Sequence, residues 1–520
     1  MKKNNFIKSL LIGSVLLFGA CSEDIINYND PNTYNTDSYF NTPSQIEKAA
    51  TAIYVSFYYN YMMGWRWPEV YNALGNEMDG TPGGIANEGD IVSFMKYQFN
   101  NTNVDVSGLW RMSYKMILRS NLVIYKAEQY QNEKGQNDIV TRSIGEAYFL
   151  RGWAYSQLAF NYGRVPIRTS LIQTGNIDAP RAASVDDVWA VAESNLKKAQ
   201  EILPVAYDDA NKGRATKGSA TGYLGKLYLY TKKYAQAETE FAKLQGTYSL
   251  LAGNKWDQNF DEANENNSES LFEVQFSHRD GNFQWGNFDE PEGLSSSPST
   301  DNAHVQLFTW GAVGGWNNWK FSAYQVPKFQ YNDENGIKYT DPRAKLTFYG
   351  GIGDSTYLDN APGGPKKYNF KGLGYYWRKH SNLENAPVTF LASGVNLRLL
   401  RYADVLLMRA EIKLESNDIT GAIGYINQVR NRIGAFPYIK TYTKAEAFEL
   451  LKRERFLELY GEQSRYNDLK RWGILEQTIN PELQVVMGSQ PILPKHYIFP
   501  IPQIEIDSNL GLGTVANDWN

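Results

Sequence analysis

Two consecutive stretches decide the fold: residues 398–435, RLLRYADVLLMRAEIKLESNDITGAIGYINQVRNRIGA, and residues 444–473, KAEAFELLKRERFLELYGEQSRYNDLKRWG. In the first, Leu406, Ala410 and Leu414 recur at i, i+4 and i+8, which places them on one face of a helix. Asp418 is a good N-cap for a second helix, and Gly434 a good residue to end it. Thr443 and Glu446 form a capping box that opens a third. Short loops between such helices make neighbours antiparallel. The stretch therefore reads as stacked helix hairpins, and the pattern should recur elsewhere.

It recurs in YLGKLYLYTKKYAQAETEFAKL, residues 223–244. Gly225, Ala237 and Phe241 have the same relative spacing as Ala410, Ala422 and Ile426. Small residues where two helices touch, with an aromatic such as Tyr228 or Phe241 filling the groove, fit the tetratricopeptide pattern. An ordinary helical bundle would share the apolar periodicity without requiring the matched offsets. Such hairpins are scaffolds, so function has to be sought in what they carry.

With 520 residues the chain can bury a large core, and length alone allows two to four domains. The net charge is −4 and no long basic run is present, which argues against nucleic acid as a partner. Thirteen Trp and 36 Tyr leave rings for a surface site after the core is filled. The chain opens with Lys2 and Lys3, followed by an apolar run from Phe6 to Phe18 that is too short for a good membrane span. Phe18-Gly19-Ala20-Cys21 is similar to a bacterial lipobox, with Phe18 where Leu is usual. Cys21 is the only cysteine, so it cannot form an internal disulfide; it is expected to carry the lipid anchor. Removing residues 1–20 would take three lysines with it, moving the net charge from −4 to −7.

Residues 22–41 are polar and read as a tether. Thr42-Pro43-Ser44-Gln45 starts a helix. A loop-rich section from Tyr61 to about Val106 holds Trp65, Trp67 and Asp79, and Trp110–Tyr130 is helical again. Ser143 and Glu146 form a capping box opening the next helix, in which Ala147, Leu150, Ala154 and Leu158 share a face with Trp153 nearby. Ser184 with Asp187 starts another helix, running to about Leu203. From Tyr248 onward periodicity fades, and Gly, Asn, Ser and Pro surround Trp256, Trp285, Trp310, Trp316, Trp319 and Trp377. The section is too long for one structureless loop in a compact domain. The division is thus a signal peptide over 1–20, a helical part over 21–247, an irregular loop-rich inserted subdomain over 248–397, and helical hairpins with an extended tail over 398–520. The fold class is mainly α.

Long blocks of the chain resemble the SusD/RagB family of surface lipoproteins. They are DPNTYNTDSYFNTPSQIEKAATAIY, EAYFLRGWAYSQLAFNYGRVPI, GRATKGSATGYLGKLYLYTKKYAQA, NNSESLFEVQF, LRYADVLLMRAEIKLE, INQVRNRIGA, ERFLELYGEQSRYNDLKRWG and FPIPQIEID, in the family's order. The resemblance implies one mostly helical domain with four tetratricopeptide-like units. It also implies a place on the exterior of the outer membrane, capping a SusC-like TonB-dependent transporter and capturing glycan for import. Glu23 and Asp24 fit the export signal of such lipoproteins. The family's ligand residues lie in variable loops, here those holding Trp65, Trp67 and Asp79 and those holding Trp285, Trp310, Trp316 and Trp319.

Sugar rings stack their C–H faces on flat aromatic rings while their hydroxyls bond to polar side chains. Trp65 or Trp67 with one or more of Trp310, Trp316 and Trp319 would form such a platform; core packing is the competing reading for each. Trp316-Asn317-Asn318-Trp319, beside Gly314-Gly315, has the composition of an exposed turn. Trp153 and Trp472 are expected in the core. Glu454, Arg455, Glu458, Glu462, Arg465, Asp468 and Arg471 are read as structural ion pairs, Arg455 with Glu458 and Glu462 with Arg465 at i, i+3, rather than as a glycosidase carboxylate pair. His278, His304, His380 and His496 lack ligand spacing, and no nucleophile or phosphate-loop motif is present. No catalytic or metal site is therefore expected, with one qualification. Asn332-Asp333-Glu334-Asn335-Gly336 has the composition of a calcium loop, although a solvated turn is the simpler reading. The expected function is non-enzymatic glycan binding. Peptide binding of the RagB type, glycoside hydrolysis and a pure scaffold are the alternatives.

Overall fold

The computed structural model describes residues 39–64, 66–80, 89–171, 178–276, 319–351, 374–380, 394–483, 488–512 and 519, with the backbone of 356–359 and 366–369. Helix α1 (Pro43–Tyr54) begins where Thr42 accepts the Gln45 N–H and Pro43 takes the first turn. It is followed by α2 (Arg66–Leu74), α3 (Gly89–Met95) and α4 (Val104–Lys134), the last capped by Asn103. Helix α5 (Asp138–Tyr162) starts earlier than the Ser143 capping box predicts. Asn137 accepts the N–H groups of Ile139 and Val140 first. Ser143 then lies inside the helix, donating to the Ile139 carbonyl, and Glu146 is taken by Arg214.

Helix α6 (Val185–Ile202) carries the expected Ser184–Asp187 capping box. The hairpin of α7 (Lys217–Tyr230) and α8 (Tyr234–Ala242) closes where Gly225 meets Phe241. A Cβ added at Gly225 would sit 2.5 Å from the Phe241 ring, so only glycine permits the approach. The corresponding hairpin is α9 (Tyr402–Glu415) and α10 (Ile419–Arg432), where Ala410, Ala422 and Ile426 are fully buried. Asp418 caps α10 through the Gly421 N–H, and Gly434 follows it with φ +72°. Helix α11 (Lys444–Leu459) has the Thr443–Glu446 box, and α12 (Arg465–Arg471) follows it.

Strands are short and occur as two-stranded antiparallel ribbons among the described residues. They are β1 (Met78–Gly80), β2 (Ser270–Val274), β3 (Trp319–Phe321), β4 (Gln330–Asn332), β5 (Lys338–Thr340), β6 (Phe348–Tyr349), β7 (Thr356–Asp359), β8 (Lys366–Asn369), β9 (Tyr376–Trp377) and β10 (Leu397–Arg401). The two pairings of longest range are β1 with β3, and β2 with β10. The core runs through all the helical hairpins, with Trp153 buried between Phe57 and Trp67. Trp472, also expected in the core, is only half-buried.

The acidic and basic cluster of α11 and α12 is structural, but within it only Asp468 and Arg471 pair at i, i+3; the expected Arg455–Glu458 and Glu462–Arg465 pairs give way to partners farther off in sequence. Glu458 accepts from Arg343 at 3.0 Å, Arg401 at 2.6 Å and the Trp256 indole at 3.0 Å, and it also pairs with Arg432. Burial alone would raise its carboxyl; the Arg432, Arg401 and Arg343 guanidinium groups override that and hold it well below the usual range. Arg455 pairs with Asp468 and Asp404, Glu462 with Arg401 and Lys379, and Arg465 with Glu482. Through these bonds the irregular section is clamped onto the C-terminal hairpins.

The tail leaves a short turn at Pro494–Tyr497, passes Ile498 in extended backbone and then forms a short helix, Gln503–Ser508. It crosses the N-terminal half. The Phe499 N–H donates to the Asn161 carbonyl at 2.6 Å, and the Gln503 N–H to that of Asn101 at 2.9 Å.

Candidate ligand-binding site

The two loops singled out in the sequence are joined by one ribbon. β1 pairs with β3 in the register Met78–Phe321, Asp79–Lys320 and Gly80–Trp319. Because strand side chains alternate between faces, Met78 and Phe321 point into the core, and Asp79 and Lys320 lie side by side, half-buried, on the other face. Asp79 accepts the Ala323 N–H at 2.7 Å. Burial raises its carboxyl, against the opposing pull of the Ala323 N–H, the Ser322 hydroxyl and Lys320. The Lys320 ammonium lies 5.4 Å from the Tyr376 ring centre. Just beyond β3, Tyr324 is 38 % exposed, with the Lys328 ammonium 4.6 Å from its ring centre. The ribbon thus presents a carboxylate, an ammonium and, close by, an open aromatic ring, groups that can bond hydroxyls and stack on a sugar face.

Two of the candidate rings are packed rather than open. Trp67 is 4 % exposed and stacks on Tyr71 at 5.4 Å, leaving no face for a sugar. Trp319 is fully buried, and its indole donates to Glu69 at 2.6 Å. That bond ties β3 to α2, so Trp319 holds the ribbon in place from beneath, while Trp67 packs between Tyr71 and Trp153. Trp65, Trp285, Trp310, Trp316 and Cys21 lie outside the described residues. Lys320 and Tyr324 were missed in the sequence. The available signal was strand alternation running on from Trp319, which is readable only once a strand is assigned there.

The turn after β4 uses its acid for the backbone. Asp333 accepts the N–H groups of Asn335 and Ile337, both at 2.8 Å, and Gly336 has φ +79°. This is a side-chain-capped turn. Among the described residues no group of three or more His, Cys, Asp or Glu is placed to hold a metal.

Two family models divide the chain between them. Residues 268–517 match the SusD family model, and residues 30–229 match a SusD-like model described as starch-binding and associating with the outer membrane. The chain belongs to the SusD-like family. A SusD-like protein of Formosa agariphila is 24 % identical, with 97 % of each chain covered. The structure of a SusD superfamily protein from Bacteroides vulgatus is 26 % identical with a TM-score of 0.75, covering 91 % of this chain and 99 % of the other. A structure described as a laminarin-binding SusD-like protein superposes with a TM-score of 0.69 at 24 % identity, covering 90 % of this chain and 97 % of its own. The SusD-like fold therefore accounts for the helical hairpins and the ribbons together, and the ribbon sits at the meeting of the two matched halves.

Proposed function

We propose that this SusD-like chain is a non-catalytic subunit, lipid-anchored through Cys21 on the exterior of the outer membrane, that binds an oligo- or polysaccharide and delivers it to a SusC-like TonB-dependent transporter. The observation that carries this reading is the β1–β3 ribbon, which joins the two sequence-distant loops on a SusD-like scaffold. Asp79, Lys320 and Tyr324 form the base of the site, and Trp65, Trp285, Trp310 and Trp316 are the stacking rings proposed around it. The laminarin-binding neighbour supports carbohydrate as the ligand. The buried carboxylates of α11 support a non-catalytic role, because Glu454 and Glu458 are held by Arg343, Arg430, Arg401 and Arg432 rather than open to a scissile bond.

The test is titration calorimetry of the mature protein against laminarin and a panel of neutral and acidic glycans. Asp79→Ala combined with Tyr324→Ala is expected to weaken the best ligand about tenfold or more, consistent with loss of about 1.4 kcal/mol. Unchanged affinity would move the site away from the ribbon. Binding confined to a peptide library would replace glycan by peptide, and new reducing ends on incubation would restore an enzyme. Cys21→Ser is expected to shift the protein from the membrane fraction to the soluble fraction, and co-purification with the transporter tests the partner.

A further inference from the structure

Behind the ribbon, a groove of about 440 Å³ opens between α11, α12 and β4. Glu77, the residue preceding β1, lines its floor. Three half-buried rings line its walls: Tyr331, Phe456 and Trp472. Its cations are nearly all spent on carboxylates. Lys328 and Arg465 share Glu482, Arg455 is held by Asp468 and Asp404, and Lys452 pairs with Glu449. Arg453 differs. Among the described residues it has no carboxylate partner, and its guanidinium lies 4.9 Å from the Tyr331 ring centre, beside Tyr438.

Polar atoms of the lining residues are also left unpartnered. Arg455 is 3 % exposed, and its Nη1 has no hydrogen-bond partner; nor do the Trp472 indole N–H and Glu77 Oε2. Buried polar atoms of this kind are ordinarily satisfied. Burial pushes the Glu77 carboxyl up to about 8, so at neutral pH the floor adds no negative charge that would repel an anion.

We propose that this groove binds an anionic sugar unit, with its ring between Tyr331, Phe456 and Trp472 and its carboxylate or sulfate on Arg453. Half-buried rings beside a guanidinium suit a hydroxylated, charged ring better than an aliphatic side chain. A guanidinium without a carboxylate suits an oxyanion, which it engages with two parallel bonds. The proposal deepens the carbohydrate-binding reading and rests on it. It adds a second contact, close enough to the ribbon that one polymer lying across both would gain from effective concentration.

The experiment is calorimetry of the full mature chain with a galacturonate trisaccharide, a sulfated galactan oligosaccharide and a neutral laminarin oligosaccharide, for wild type and Arg453→Gln. The expected result is at least tenfold weaker binding of the acidic ligands in the variant, with neutral affinity unchanged. Preference between the carboxylate and sulfate probes assigns the anion. In the wild type, acidic binding should weaken as NaCl rises and should perturb tryptophan fluorescence. These wild-type readouts keep the test open if Arg453→Gln fails to fold. Acidic ligands that fail to bind while the neutral ligand binds would overturn the groove and leave the carbohydrate reading standing. Acidic binding that is insensitive to both Arg453→Gln and salt would do the same. Absence of binding by every saccharide would remove both.

Discussion

Glu458 shows how much of this molecule depends on single buried charges. Its carboxylate is shared by Arg343, Arg401 and Arg432, and removing one member of a buried network leaves the others uncompensated. Glu458→Ala should destabilise the fold by about 3–5 kcal/mol, read as a lower midpoint in urea unfolding. The charge pattern of α11 and α12 was legible as ion pairing, but its partners were not. Local spacing offers i, i+3 neighbours, whereas Arg343 and Arg401 arrive from elements far away in sequence. Glu77 gives a pH signature of its own. Burial raises its carboxyl from the ordinary 4.5 to about 8, with Arg465 opposing. The folded state therefore holds the proton more tightly than the unfolded chain. This favourable contribution is complete below pH 4.5 and is lost as pH rises through about 8, at about 1.4 kcal/mol per pH unit across that window. Glu77→Gln, which needs no proton, should match wild type in thermal melts near pH 4 and melt higher than wild type near pH 9.

At the level of elements, the hairpins were the most readable part because their caps and small-residue contacts are local. Gly225→Ala tests the closest of these contacts. Alanine is the better helix former by about 1 kcal/mol, yet its Cβ would press on Phe241. Overpacking of this kind typically costs about 1–3 kcal/mol, so the variant should melt lower. Phe241→Leu in the same chain should recover part of the loss, and a double-mutant cycle would expose the coupling. Helix α5 begins earlier than the Ser143 box predicts because Asn137, nearly two turns further out, caps it first. The β1–β3 ribbon was not legible as a pairing. Three-residue strands with helices α3 to α8 and the first half of the irregular section between them carry no local signal of register, so the loops could be named but not joined. For the same reason Trp67 and Trp319 could not be told from exposed rings: which side of a short strand or helix faces inward is decided by the partner it meets.

At the scale of the whole molecule, the halves matched by two different family models share one hydrophobic core. The tail is part of that union. Phe499 lies 5.8 Å from Phe94, 5.6 Å from Phe99 and 5.6 Å from Tyr162, ring centre to ring centre. Deleting residues 494–520 should uncover these rings, raise binding of a hydrophobic dye and broaden the unfolding transition.

The path of that strap has a consequence in time. Helices made early in synthesis, α3 to α5, cannot reach their finished packing until a segment made hundreds of residues later has arrived to lie on them. Maturation of the first half thus waits for the strap around Phe499 and Gln503 to be synthesised, and a nascent chain interrupted after α12 would present its ring-lined trough unroofed to whatever chaperone escorts it.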